Sequence, residues 1–98
     1  MIDLKEYQKK VLQNKLDKFG KPIIDREFCL TYGELNEAFD SYLRNDGHIG
    51  EELADVVIYL LGLSEIFGID LEEEIKNKVS INADRKYVFE HNKAIKIS

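Results

Sequence analysis

The chain has 98 residues, with 14 Lys plus Arg against 19 Asp plus Glu, and a formal net charge of −5. That length allows a single domain over residues 1–98, with one small core and no room for separate cofactor and substrate domains. The acidic balance argues against binding nucleic-acid backbone, where affinity comes from neutralised phosphates; 44% hydrophobic with 34% charged residues excludes disorder, and one cysteine excludes an internal disulfide or a cysteine-based zinc site.

The dominant period along the chain is helical. Leu4, Tyr7, Val11, Leu12, Leu16 and Phe19 recur at three and four residues, which predicts helix one over 3–19, started by Asp3 and ended by Gly20. The charged start, Met1 to Glu6, has no apolar segment of a targeting signal. Gly20-Lys21-Pro22 breaks the pattern. Asp25 can cap a second helix over 26–44, whose apolar face is Phe28, Tyr32, Leu35, Phe39, Tyr42 and Leu43. Asn45-Asp46-Gly47 is a turn signal, and Gly50 closes the loop. Helix three is expected from Glu51 to Phe67. Between Leu53 and Leu63 it is apolar nearly all round, with Asp55 its lone charge. Such a helix must be covered on every side, and a chain this short has few helices to do it. A second copy of the chain is the expected cover. The apolar run from Val56 to Leu63 is far short of the ~20 residues of a membrane span, so the expectation is a soluble, cytoplasmic protein with no membrane partner.

Gly68 ends helix three. Asp70, with Glu73 three residues on, can cap a fourth helix over 71–79 that runs on through Ala83 to His91. The chain reads as all-α, with four to five helices and no repeats. The aromatics Phe28, Tyr32, Phe39, Tyr42 and Tyr59 fall at core spacing. Cys29 is expected to be a buried, inert thiol. His48 belongs to a surface turn, His91 is expected to be exposed, and Tyr87 and Phe89 to cover the site or a neighbouring subunit.

Two pairs of acids stand out. Glu34 and Glu37 are three apart on helix two, and Glu52 and Asp55 three apart on helix three. This spacing puts each pair on one face, and two antiparallel helices joined by a short turn bring the pairs together. Converging carboxylates repel and are costly to ionise when buried, so a positive partner is needed. An oxygen-only set favours a hard cation such as Mg²⁺, with Mn²⁺ also suited. Spacing alone leaves a plainer reading open. An acidic chain forms such pairs by chance, and Glu51 and Glu52 also suit the first turn of a helix. Asp55, followed by apolar residues, needs a partner, which could be a metal, Lys or Arg.

The order of these residues resembles one family. Gly33-Glu34-Leu35-Asn36-Glu37-Ala38, Glu51-Glu52-Leu53-Ala54-Asp55-Val56, Gly68-Ile69-Asp70-Leu71 and Lys78-Val79-Ser80-Ile81-Asn82 with Arg85 are similar to the MazG-like nucleoside triphosphate pyrophosphohydrolases, part of the all-α NTP pyrophosphatase superfamily. The likeness covers about residues 26–87. It implies Mg²⁺-dependent hydrolysis of a nucleoside triphosphate, often a deoxy one, to the monophosphate and pyrophosphate. Glu34, Glu37, Glu52 and Asp55 would be the metal ligands, Glu34 and Glu37 the catalytic pair, and Lys78, Asn82 and Arg85 the groups near phosphates and sugar. It also implies a homodimer or homotetramer with sites near the subunit interface, and clearance of surplus or non-canonical nucleotides. Gly33 stands where many relatives carry a first acid, which leaves the water-activating group unassigned. The alternative is a non-catalytic helical module that binds nucleotides or offers its acidic groove to a basic protein.

Overall fold

In the computed structural model the chain forms four helices followed by a short hairpin: α1 (Leu4–Phe19), α2 (Ile24–Arg44), α3 (Ile49–Ile66), α4 (Leu71–Asp84), β1 (Tyr87–Glu90) and β2 (Lys93–Lys96). The structure describes residues 2–90 and 93–97. The expected exposure of His91 and the covering roles of Tyr87 and Phe89 lie outside what is described.

Local chemistry sets most of these ends. Asp3 and Asp70 each accept a hydrogen bond from the backbone N–H three residues on, at Glu6 (3.3 Å) and Glu73 (3.2 Å), satisfying amides that the first turn leaves free. Helix two starts two residues earlier than expected. Ile23 is extended and is the cap without a side-chain bond, and Asp25 sits inside the acidic first turn, where the dipole favours it. Between α2 and α3, Asn45 takes a left-handed conformation with φ 52°, and Gly47 follows at φ 81°. The Asp46 carboxylate ties the turn by accepting from Ser41 and from the His48 amide. The Ser41 hydrogen bond, then that amide, hold Asp46 below the usual carboxylate range.

Helix four runs to Asp84, but does not continue to His91. Residues 87–90 instead pair antiparallel with 93–96, in register from Tyr87 opposite Lys96 to Glu90 opposite Lys93. Val88 and Phe89 are better strand than helix formers. The helical bundle itself is all-α as expected, and no helix among the described residues is long and apolar enough to cross a membrane.

Helix three is the centre. Helix two pairs with it as a hairpin and helix one lies along it, whereas helix four meets the bundle chiefly through helix one. Gly62 permits the close approach of α1: a Cβ there would come within 3.3 Å of Val11 Cγ1. Gln8, on α1 and 1% exposed, pins the turn into α4. Its amide donates to the Ile69 carbonyl at 2.7 Å and accepts from the Leu71 N–H at 3.0 Å.

The core is small. Ala38, Leu61 and Leu63 are its buried hydrophobic residues among those described. The first half of helix three is not covered by this chain, with Leu53, Val57 and Ile58 exposed, and so are Tyr32, Leu35, Phe39 and Tyr42 on helix two. The aromatics expected in the core of helix two therefore face outward in the single chain. Cys29 is also exposed rather than buried, because Glu27 and Thr31 take the inward positions on its turn. The chain exposes 7815 Å² with a radius of gyration of 16.6 Å, against roughly 5,800 Å² and about 13 Å for a closed domain of this size.

Candidate metal and nucleotide site

Helix two turns an unusually polar line toward helix three. Glu27, Thr31, Ala38 and Ser41 are its buried residues, and half-buried Glu34 continues the same line. Three- and four-residue steps keep such positions on one face. Ala38 is small enough for the helices to come close, which brings Glu52 of α3 against the Glu34 turn. Oxygens of Glu34, Glu37 and Glu52 all lie within 4.8 Å of one another.

The electrostatics of this cluster are one-sided. Burial, then the Glu37 and Asp55 charges, raise the Glu34 carboxyl above its ordinary value. Burial, then Glu37 and Asp55, do the same to Glu52. Every charge that acts on these two groups is acidic. Glu52 Oε2 is shielded from solvent and has no hydrogen-bond partner. A buried, unpaired carboxylate oxygen among like charges is disfavoured. A divalent cation would satisfy it, and the oxygen-only donors fit Mg²⁺ or Mn²⁺. In that sense the residues present suit the metal.

The structure thus brings together three of the four acids singled out in the sequence. Asp55 is near enough for its charge to act on Glu34 and Glu52, but it is exposed and its oxygens lie outside the close group. Lys78, Asn82 and Arg85 lie at α4 and its C-terminal cap. Arg85 donates to Asn82 Oδ1 at 3.0 Å, and neither Lys78 nor Arg85 is among the charges acting on the carboxylates.

A second group adjoins the cluster and is not evident from the motifs. The Lys15 ammonium of α1 pairs with Glu27, their side chains 16% and 7% exposed. It also lies 4.3 Å from the centroid of the Tyr59 ring. Burial, then the charges of Glu34, Glu27 and Asp55, push the Tyr59 hydroxyl up, so Tyr59 touches the pair and feels the charge of the acids. A cavity of about 310 Å³ opens here, lined by Lys15, Phe19, Lys21, Arg26, Glu27, Leu30 and Tyr59 among others. The sequence held a signal for it: Gln8 and Lys15 interrupt the inward stripe of helix one, and Glu27 lies seven residues before Glu34, on the same face.

Among curated proteins none matches the chain. A solved structure with a similar fold is that of the cyanophage S-2L MazG-like pyrophosphohydrolase bound to dGDP and three catalytic Mn²⁺ ions per active site. It superposes with a TM-score of 0.70 at 24% identity, over 99% of this chain and 95% of that one. The model of the MazG-like family matches residues 27–97, from the buried glutamate at the start of helix two through the acidic cluster and helix four to the hairpin, and the chain belongs to that family.

Proposed function

We propose that this protein hydrolyses a nucleoside or deoxynucleoside triphosphate to the monophosphate and pyrophosphate, with a divalent cation, Mg²⁺ by preference, at the acidic cluster. The observation that carries this reading is the convergence of Glu34, Glu37 and Glu52 around the unpartnered Glu52 oxygen. Family membership and a fold relative that binds dGDP and Mn²⁺ support it. Glu34, Glu37 and Glu52 would hold the metal, with Asp55 completing the set. When bound, the metal supplies charge neutralisation at the phosphates and a water of lowered pKa.

The chain's own groups divide the remaining work. The carboxylates are fixed on two rigid helices, which would hold the cation, and the phosphate chain bound to it, in one orientation. Glu34 and Glu37 would be the catalytic pair, with the Glu34 carboxyl, raised by burial and by the neighbouring acids, able to accept a proton from water. Lys78 and Arg85 would stabilise charge on the phosphates, Arg85 bidentately, with Asn82 at the sugar.

The protein acts as a homodimer or a tetramer of dimers. Its single chain exposes roughly 2,000 Å² more than a closed domain of its mass. Two copies joined along α2 and α3 would hide an area within the obligate-dimer range. The role in the cell is removal of surplus or non-canonical nucleotides in the cytoplasm.

A product assay tests the reading. The protein, with Glu37→Gln and Asp55→Asn variants, is incubated with Mg²⁺ and each common triphosphate. Equimolar monophosphate and pyrophosphate, lost in both variants, are expected. Diphosphate with inorganic phosphate, or no turnover of any nucleotide, would overturn it.

A further inference from the structure

The cavity beside the acidic cluster has a chemistry of its own. Its floor is the Lys15–Glu27 pair and its walls include Phe19, Leu30 and Tyr59. A buried ion pair is a weak source of stability, since an apolar pair of the same shape does as well or better. Finding one here, open to a cavity of about 310 Å³, asks for a ligand. That volume lies at the small end of ligand sites. The cavity and the cluster are separate groups of side chains set along the same stretch of helix two. Glu27 and Glu34 share a face of helix two, seven residues and therefore about 10 Å apart, and Tyr59 touches the ion pair and feels the charge of the acids. A nucleoside can bridge that span, with its 5′ phosphates at the acids and its base among the apolar walls.

We propose that this cavity is the base pocket of the same site and that Lys15 and Glu27 read the pairing edge of a guanine-type base. The inference rests on the nucleotide reading above. A carboxylate accepts two parallel N–H bonds. Guanine presents a ring N–H and an amino group side by side, next to a carbonyl oxygen. Glu27 accepts from the two donors, and the Lys15 ammonium donates to the carbonyl. Adenine and cytosine offer one amino group beside a ring acceptor, and uracil one ring N–H, so each leaves a carboxylate oxygen unmatched. One bidentate contact of this kind discriminates roughly ten- to a hundredfold.

The test compares dGMP, dAMP, dCMP and dUMP binding by titration calorimetry in Mg²⁺, alongside kcat/KM for the four triphosphates. The proteins are wild type, Glu27→Gln, and the exchanged pair Lys15→Glu with Glu27→Lys, which keeps opposite charges in contact should the single variant fail to fold. Wild type is expected to favour guanine by about tenfold or more in both measurements, and both variants to lose that preference. An active wild type without guanine preference overturns the proposal, as does a folded Glu27→Gln variant that keeps the preference. Guanine-selective dGMP binding without turnover supports the pocket and sinks the hydrolase reading instead.

Discussion

Gln8 ties helix one to the start of helix four, and Gln8→Ala is the most direct test of how α4 is held. Its amide donates to the Ile69 carbonyl and accepts from the Leu71 N–H, with a longer bond from the same nitrogen to Glu65 Oε1 at 3.5 Å. At 1% exposure these bonds are made out of reach of bulk water. Alanine removes both partners' counterpart at once. A net hydrogen bond is worth about 1 kcal/mol, and a buried group left unsatisfied costs about 1–3 kcal/mol. The Leu71 amide belongs to a helix's first turn and has no other partner in the helix. Two lost bonds therefore predict a destabilisation of about 2–4 kcal/mol, before any cavity contribution. For a domain of this size that lowers the midpoint by roughly 10–25 °C. Gln8→Glu keeps the acceptor for Leu71 but sets a buried carboxylate against the Ile69 carbonyl and Glu65, so it is expected to destabilise at neutral pH at least as much as alanine. The assay is urea and thermal unfolding followed by circular dichroism at one fixed protein concentration, because association shifts the apparent stability. A Gln8→Ala change below about 0.5 kcal/mol, less than one net hydrogen bond, would refute the view that this amide anchors helix four.

The carboxylate cluster makes a prediction about pH. In metal-free protein the folded state holds protons on Glu34 and Glu52 at pH values where the unfolded chain, with ordinary carboxyls near 4.5, has lost them. The folded state binds more protons in that window, so stability falls as pH rises through it; urea midpoints in EDTA should fall less steeply for Glu34→Gln than for wild type. Millimolar Mg²⁺ at neutral pH should raise the thermal midpoint of wild type, and Glu37→Gln should abolish the rise. Gly62→Val puts a branched side chain where even a Cβ would meet Val11 Cγ1 at 3.3 Å, and overpacking predicts a loss of about 1–3 kcal/mol in chemical unfolding. Phe39 is 55% exposed in the single chain, so Phe39→Asp should leave the fold intact and reduce the mass seen in sedimentation equilibrium to that of one chain.

The legible part of this protein is what period and capping determine. The Asp3 and Asp70 caps, the Gly20 and Gly68 stops and the Asn45-Asp46-Gly47 turn place the helices to within a few residues, because each acts through bonds to its near neighbours. The start of helix two is harder to read, because Asp25 has the chemistry of a side-chain cap whereas the backbone enters the helix at Ile24 without one. The end of helix four escapes as well, because a pairing between residues 87–90 and 93–96 is not a matter of helical period. The acids Glu34, Glu37 and Glu52 are legible as i,i+3 partners across a hairpin. Asp55 is legible as part of the motif, but not that it stands outside the close group. Gln8 and Lys15 are legible only as polar interruptions of the helix-one stripe; their partners at Ile69, Leu71 and Glu27 are not, because only the fold brings those residues together.

The burial of apolar residues shows most plainly where sequence reasoning needs a second molecule. Phe39 and Tyr42 lie at core spacing on helix two, and the spacing is correct, since their rings stack with centroids 6.3 Å apart on one face. Their expected burial fails in the single chain because the polar line of helix two is what turns directly inward, and Phe39 and Tyr42 flank it, at an open edge of the contact with Ile49 and Leu53 of helix three. That line is occupied by Glu27, Thr31, Glu34 and Ser41. A helix that spends its inward line on carboxylates has only the rest of its surface left for hydrophobic burial. The acidic cluster and the exposed aromatic face are therefore two sides of one choice. A pair of helices can present a polar seam to a metal and a nucleotide only if another surface supplies the apolar burial that the seam forgoes. In the proposed dimer a second copy of the chain, with the same exposed rows on the same helices, would supply that surface through a self-complementary contact.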